Sequence, residues 1–139
     1  MSTIFSQIVE GEIPARVVYE DETTIAFLDA NPLAPGHTLV IPKDEYERLN
    51  DVPDDVAEDL YATVHRLVPA VEESVDADAS TVAFNNGEEA GQEVPHVHCH
   101  IVPRFESDGA GPIHAMFGGQ EDIDDDRLDE IADEIESRA

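Results

Sequence analysis

The run His96-Val97-His98-Cys99-His100-Ile101-Val102 alternates histidine with apolar residues. Successive side chains on an extended chain point to opposite faces, so this period of two predicts a strand over His96 to Val102. His96, His98 and His100 then share one face over a span of roughly 13 Å. Val97, Cys99 and Ile101 take the other. Such a strand needs an apolar layer on one side and, on the other, groups that can satisfy imidazole nitrogens, because imidazoles buried without partners are costly. They also pack worse than Val or Ile, so a chemical role for that face is expected over a structural one. Two chemistries suit the spacing: three His ligands for a transition metal, or one nucleophilic His flanked by two that orient and polarise. Spacing alone leaves both open.

The remaining sequence supplies the layers. Arg16 to Glu20 and Thr23 to Leu28 are β-prone runs separated by Asp21 and Glu22, which predicts a hairpin. Asn31 to Gly36, with Pro32 and Pro35, reads as a turn, and His37 to Ile41 as a third strand closed by Pro42. Pro53 opens a helix in which Val56, Leu60, Val64, Leu67, Val71 and Val75 recur at spacings of three and four. Pro69 removes a backbone donor inside it and crowds the His65 carbonyl, so a kink or a break is expected there. Ser80 to Phe84 is a fourth strand, and Asn85 to Pro95 is a loop leading into the histidines. At the N-terminal end Ser2 can cap a short helix with Ile4, Phe5, Ile8 and Val9 on one side, ended by Gly11. Phe105 to Gln120, rich in Gly, is expected to be a mobile surface segment. A last helix presents Leu128, Ile131, Ala132 and Ile135 on one face, with Asp124, Asp125 and Asp126 at its N-terminus, where the helix dipole favours negative charge. The order of the central elements is βββαββ, between two terminal helices.

Composition narrows the partners. Acidic residues number 33 against 7 basic ones, for a net charge of -26, and Lys43 is the one lysine. Nucleic acid and anionic membranes are gripped by clustered Lys and Arg, so neither is expected as a partner. The acids run from Glu10 to Glu136, which marks a whole-surface property and an adaptation to high salt. A chain of 139 residues with 41% apolar content supports one folded domain rather than disorder. Cys99, the one cysteine, permits no internal disulfide. The start MSTIFSQIVEGE has no basic n-region or long apolar run, and no apolar stretch approaches the roughly 18 residues that span a bilayer. A cytoplasmic setting is the expectation.

Between residues 4 and 104 the chain resembles the histidine triad (HIT) family of nucleotide hydrolases and transferases. The resemblance is carried by the histidine run, by EGEIPARVVYED, FLDANPLAPGH and TLVIPK, and by the loop Asn85 to Pro95. It implies a single HIT domain over 1–139 with its core at 4–104 and a variable loop and helix at 105–139. The implied fold is α+β, a five-stranded antiparallel sheet with a central helix. The implied partners are a purine nucleoside monophosphate conjugate and a second copy of the chain in a homodimer, and a halophilic archaeon is the expected host. Carried over position by position, His98 is the nucleophile, with His96, His100 and His37 around it. Asn85, Gly91, Gln92 and Glu93 line the phosphates, Asp29 holds the ribose hydroxyls beside Ala30, and Ile4, Phe5, Ile8 and Phe27 enclose the base. Taken alone, Phe5, Ile8 and Phe27 read as core, His37 as a structural histidine and Asp29 as a turn cap; their joint occurrence with the histidine run is what gives them the other roles.

The chemistry suits these residue types. Free imidazole, with a pKa of about 6.5, is largely unprotonated at neutral pH and competent as a nucleophile without a metal. An anionic phosphoryl centre needs donors nearby, here expected from the amides of Asn85 and Gln92, from backbone N–H groups after Gly91 and from a protonated histidine. The family resemblance also implies a structural zinc in many members, bound by two cysteines and two histidines. The matching positions here are Thr3, Ser6, Glu45 and His96, so no zinc and no other cofactor is expected. Glu93 stands where one branch of the family often has a hydroxyl residue, and the C-terminus has no Trp. Two other readings stay in view: a metal-dependent hydrolase with His96, His98 and His100 as ligands, and a nucleotide-binding module without turnover.

Overall fold

The structure, a computed structural model, describes residues 2–139. It divides into two compact units, one closing at Asp108 and one running Gly109–Ala139. The first unit contains α1 (Ile4–Val9), β1 (Val17–Glu20), β2 (Thr24–Leu28), β3 (Thr38–Pro42), α2 (Asp54–Ser74), β4 (Ala79–Phe84) and β5 (Cys99–Arg104). All strand pairs are antiparallel, in the order β1-β2-β3-β5-β4. The first three strands form a meander. After α2 the chain returns on the far edge as β4, then turns back so that β5 fills the place between β3 and β4. The histidine segment therefore runs into an interior strand.

Alternation builds one apolar layer on each face. Ala26, Val40, Val97, Cys99 and Ile101 meet Leu60, Val64, Leu67 and Val71 of α2. Ile25, Phe27, Leu39 and Ile41 point the other way and meet Phe5 of α1. Because β2 and β3 are covered on both sides, each runs apolar in succession after a leading threonine, Thr24 and Thr38.

The sequence-based boundaries shift in places, each for a local reason. The ladder of β5 begins at Cys99, not His96. Before it, the N–H of Val97 donates to the Tyr46 carbonyl at 2.8 Å and that of His96 to Val94 at 2.8 Å, so these residues are hydrogen-bonded outside the sheet. The N-cap of α1 is Thr3, not Ser2: its hydroxyl oxygen accepts from the Ser6 N–H at 3.0 Å. Helix α2 runs unbroken through Pro69. Both Pro69 and His65 face solvent, where water can take the bond that the proline ring cannot make. Val75 caps the helix and packs on Gly36, where a Cβ would lie 3.1 Å from Val75 Cγ1 and 3.2 Å from Pro103 Cγ. With φ at +88°, Gly36 is held to glycine on both counts.

Asp21 closes the β1–β2 hairpin. Burial alone would raise its carboxyl pKa. The N–H groups of Thr24 and Thr23 and the hydroxyls of Tyr19 and Thr24 outweigh burial and hold it well below the usual carboxylate range.

In the second unit a short 3-10 turn (Ile113–Met116) precedes α3 (Asp125–Arg138). Asp124 caps α3 by accepting from the Arg127 N–H at 2.8 Å. No helix among the described residues is long and apolar enough to cross a membrane.

Candidate active site

A cleft of about 780 Å³ opens on the sheet face opposite α2. His37, His98 and His100 line it, with Asp29 and Ala30 from the turn after β2 and Asn85, Gly91 and Glu93 from the loop before the histidines. Ile4, Phe5, Ile8 and Phe27 form its apolar wall. Two of these are also core: Phe27 is 2% and Phe5 7% exposed, their rings edge to face at 5.6 Å.

Backbone partners fix the protonation of each imidazole, because a carbonyl can only accept and an N–H can only donate. The Nδ1–H of His98 donates to the His96 carbonyl at 2.8 Å, which leaves its Nε2 with a free lone pair. The Leu33 N–H donates to Nδ1 of His37 at 3.1 Å, so His37 carries its proton on Nε2. That proton goes to Nδ1 of His100 at 2.9 Å, with Asp29 Oδ2 farther off at 3.6 Å. His100 in turn carries its proton on Nε2, and this N–H is buried without a partner among the described residues. A free lone pair on His98 and an unanswered donor on His100 thus stand on neighbouring rings, 5.0 Å between centroids. His96 is fully buried and lies outside the cleft lining. Its Nε2–H donates to the Pro42 carbonyl at 2.8 Å and its Nδ1 lies 3.0 Å from the Thr3 hydroxyl.

These bonds bear on the metal reading. Both nitrogens of His96 are committed, so His96, His98 and His100 cannot converge on one ion. Asp29, His37 and His100 do bring ligand atoms within 4.8 Å. Nε2 of His37 is protonated, however, and a protonated nitrogen cannot ligate.

The loop departs from expectation at Gln92. Its Nε2 donates to the Glu47 carbonyl at 2.6 Å and the Val94 carbonyl at 2.9 Å, and its Oε1 accepts from the Gly87 N–H at 2.8 Å. The amide is spent on shaping the loop, and Gln92 is absent from the cleft lining. Gly91 ends a 3-10 turn (Glu88–Ala90) with φ at +94°, beside open space. Sequence reasoning missed Arg16, the one Lys or Arg on the cleft wall. In a chain with so few cations, a guanidinium inside a stretch already singled out was the available signal.

Burial lowers the imidazoles of His100, His37 and His96, so the donor expected from a protonated histidine is here the neutral N–H of His100. The pKa of His100 falls to about 4, through burial first and then the neighbouring His98 and His37. Those of His37 and His96 are also lowered by burial, partly offset by Asp29 and by the Pro42 carbonyl. On the opposite face burial raises the Cys99 thiol to about 12. At the three buried imidazoles the unfolded chain binds protons that the folded chain refuses, so stability falls as pH drops from about 6.5 toward about 4. For His100 alone the loss is roughly 3 kcal/mol. Denaturant unfolding at about pH 7 and about pH 5 should show part of this loss, and His100→Asn should lose less across the same interval. A flat wild-type curve would contradict the buried neutral relay.

The HIT domain model matches residues 10–107, and the chain belongs to that family, one of nucleotide hydrolases and transferases. A HIT-like protein of Methanocaldococcus jannaschii, described as uncharacterized, is 47% identical over 132 residues, which cover 95% of this chain and 97% of that one. The adenylylsulfatase HINT3 of Arabidopsis thaliana is 38% identical over 105 residues, 76% of this chain and 53% of its own length. The crystal structure of a HIT family member from Bacillus subtilis superposes with a TM-score of 0.88 at 36% identity, covering 100% of this chain and 98% of that one.

Proposed function

We propose that this protein is an enzyme that cleaves or transfers a nucleoside monophosphate, most fittingly a purine one, at the α-phosphorus of a phosphoramidate, a dinucleoside polyphosphate or a related conjugate. The observation that carries the reading is the free Nε2 lone pair of His98 beside the unanswered Nε2–H of His100. In the first step that lone pair attacks phosphorus. A P–N bond forms, the bond to the leaving group breaks, and the leaving group departs with the electron pair and takes up a proton. Water then attacks the nucleotidyl-His98, a P–O bond forms, the P–N bond breaks and a proton is released. His100 N–H faces the charge that develops on the phosphoryl oxygens, supported by Asn85 and by backbone N–H groups near Gly91. Asp29, whose Oδ1 already accepts from the Asn31 N–H at 2.9 Å, meets the ribose hydroxyls, and the wall of Ile4, Phe5, Ile8 and Phe27 takes the base.

A homodimer belongs to the same reading. Its support is the edge strand β4, where Val82 is 45% exposed, together with Tyr61 of α2, 50% exposed and with its ring 5.8 Å from that of Phe84. A cytoplasmic setting agrees with a single, unpaired, buried cysteine.

Incubating the protein with adenosine and guanosine phosphoramidates, adenylyl sulfate and dinucleoside polyphosphates tests the proposal. Release of nucleoside monophosphate, undiminished by a chelator, is the expected result. Tight binding without turnover would make the chain a nucleotide-binding module. Turnover lost to chelation would restore the metal-dependent reading.

A further inference from the structure

The zinc that the family resemblance implies does not fit this chain. Thr3, Ser6, Glu45 and His96 do meet in space, but they are bonded to one another. Glu45 Oε1 accepts from the Ser6 hydroxyl at 2.5 Å and from the Thr3 N–H at 2.9 Å. The Thr3 hydroxyl oxygen accepts from the Ser6 N–H at 3.0 Å and lies 3.0 Å from His96 Nδ1. Two neutral hydroxyls, an imidazole nitrogen already in a hydrogen bond and one carboxylate whose Oε1 is taken by Thr3 and Ser6 are not a structural zinc donor set.

The bonds run one way. A carboxylate only accepts, so Ser6 must donate to it. With the Nε2 proton of His96 committed to Pro42, Nδ1 needs a donor, and the Thr3 hydroxyl supplies it. The carbonyl of the same His96 receives the Nδ1–H of His98. Between Thr3 and Ser6 lies Phe5, whose ring stands edge to face against His96 at 6.0 Å and His98 at 5.0 Å. From exposed Glu45 to the cleft, each group thus fixes the orientation of the next.

We infer that Thr3 and Glu45 are positioning residues: their hydrogen-bonded clasp, without metal, holds the start of α1 and the His96 ring so that the His96 carbonyl and Phe5 keep His98 aimed into the cleft. This rests on His98 being the nucleophile. Losing the clasp should leave substrate binding nearly intact and slow the chemical step, since an aim that drifts costs rate more than affinity.

The test compares Glu45→Ala, Thr3→Val and Thr3→Ser with the wild type, each shown folded by circular dichroism. Turnover of a nucleoside phosphoramidate and nitrogen–proton spectra of the imidazoles are the readouts. Expected is a fall in kcat of about tenfold for Glu45→Ala and Thr3→Val, roughly 1.4 kcal/mol, with KM moving less than about twofold. Thr3→Ser, which keeps the hydroxyl, should restore kcat. The His98 Nδ1–H signal should be protected from solvent in the wild type and Thr3→Ser, and exchange-broadened in the other two. The inference is overturned by wild-type kcat in Glu45→Ala, by Thr3→Ser failing as badly as Thr3→Val, by stoichiometric zinc in the purified protein, or by unfolding of Glu45→Ala. Because Glu45 is exposed, unfolding there would make the network a folding element. If the wild type turns over no nucleotide, the functional reading fails, while the imidazole spectra still report on the clasp.

Discussion

Replacing His98 with alanine should abolish nucleotide turnover, lowering kcat by about 10,000-fold or more, without unfolding the protein. The size follows from the geometry. His98 offers the free lone pair beside the His100 donor, since the Nδ1 atoms of His37 and His100 each accept a hydrogen bond and both nitrogens of His96 are engaged. No neighbouring ring can take over the attack. The side chain is only 8% exposed and packs edge to face on Phe5, so the substitution leaves a cavity that costs some stability. Circular dichroism and retained nucleotide binding separate that cost from the chemistry. Intact mass after a rapid quench should show a nucleotidyl adduct on the wild type and none on His98→Ala. A folded His98→Ala with wild-type turnover would end the assignment.

Concentrated salt should raise kcat/KM for a polyphosphate substrate by about tenfold or more between about 0.1 M and about 1 M potassium chloride. The net charge of -26 repels an incoming anion, and the cleft itself bears the carboxylates of Asp29 and Glu93 against the single guanidinium of Arg16. The Debye length falls from roughly 10 Å to roughly 3 Å across that range, which screens the repulsion. The gain should be smaller for a singly charged phosphoramidate, and that difference separates substrate attraction from folding. Salt should also stabilise the fold by screening self-repulsion, so the comparison is made where circular dichroism shows the same state. A fall in kcat/KM for the polyphosphate, with the fold intact at both concentrations, would refute the electrostatic argument. A gain would support a host that keeps a salt-rich interior.

The parts of this architecture that local periodicity encodes were legible in the chain. The period of two placed Val97, Cys99 and Ile101 against α2 and kept the imidazoles opposite, although pairing in the sheet begins only at Cys99. The three-and-four spacing from Val56 to Val71 is that of a helix packed on a sheet, and Pro69 did not interrupt it because its side faces water. Contacts between distant residues were not legible. Nothing local tells that Glu45 reaches Thr3 across 42 positions, or that the Gln92 amide is consumed by the Glu47 carbonyl across 45. His96 shows the same limit: alternation placed it correctly on its face, yet its bonds to Pro42 and Thr3 take it out of the cleft.

The adjacency of Cys99 to His98 and His100 makes strand register a chemical safeguard. Thiol and imidazole are both nucleophiles, and here a single pleat separates them: the imidazoles face the cleft, while the thiol, raised to about 12, is sealed against α2. A slip of one residue would exchange the two faces, drive the imidazoles into hydrocarbon and present a thiol to the substrate. An edge strand could slide in this way. β5 cannot do so cheaply, because it is bonded to β3 on one side and β4 on the other, and a slip would have to break both ladders at once.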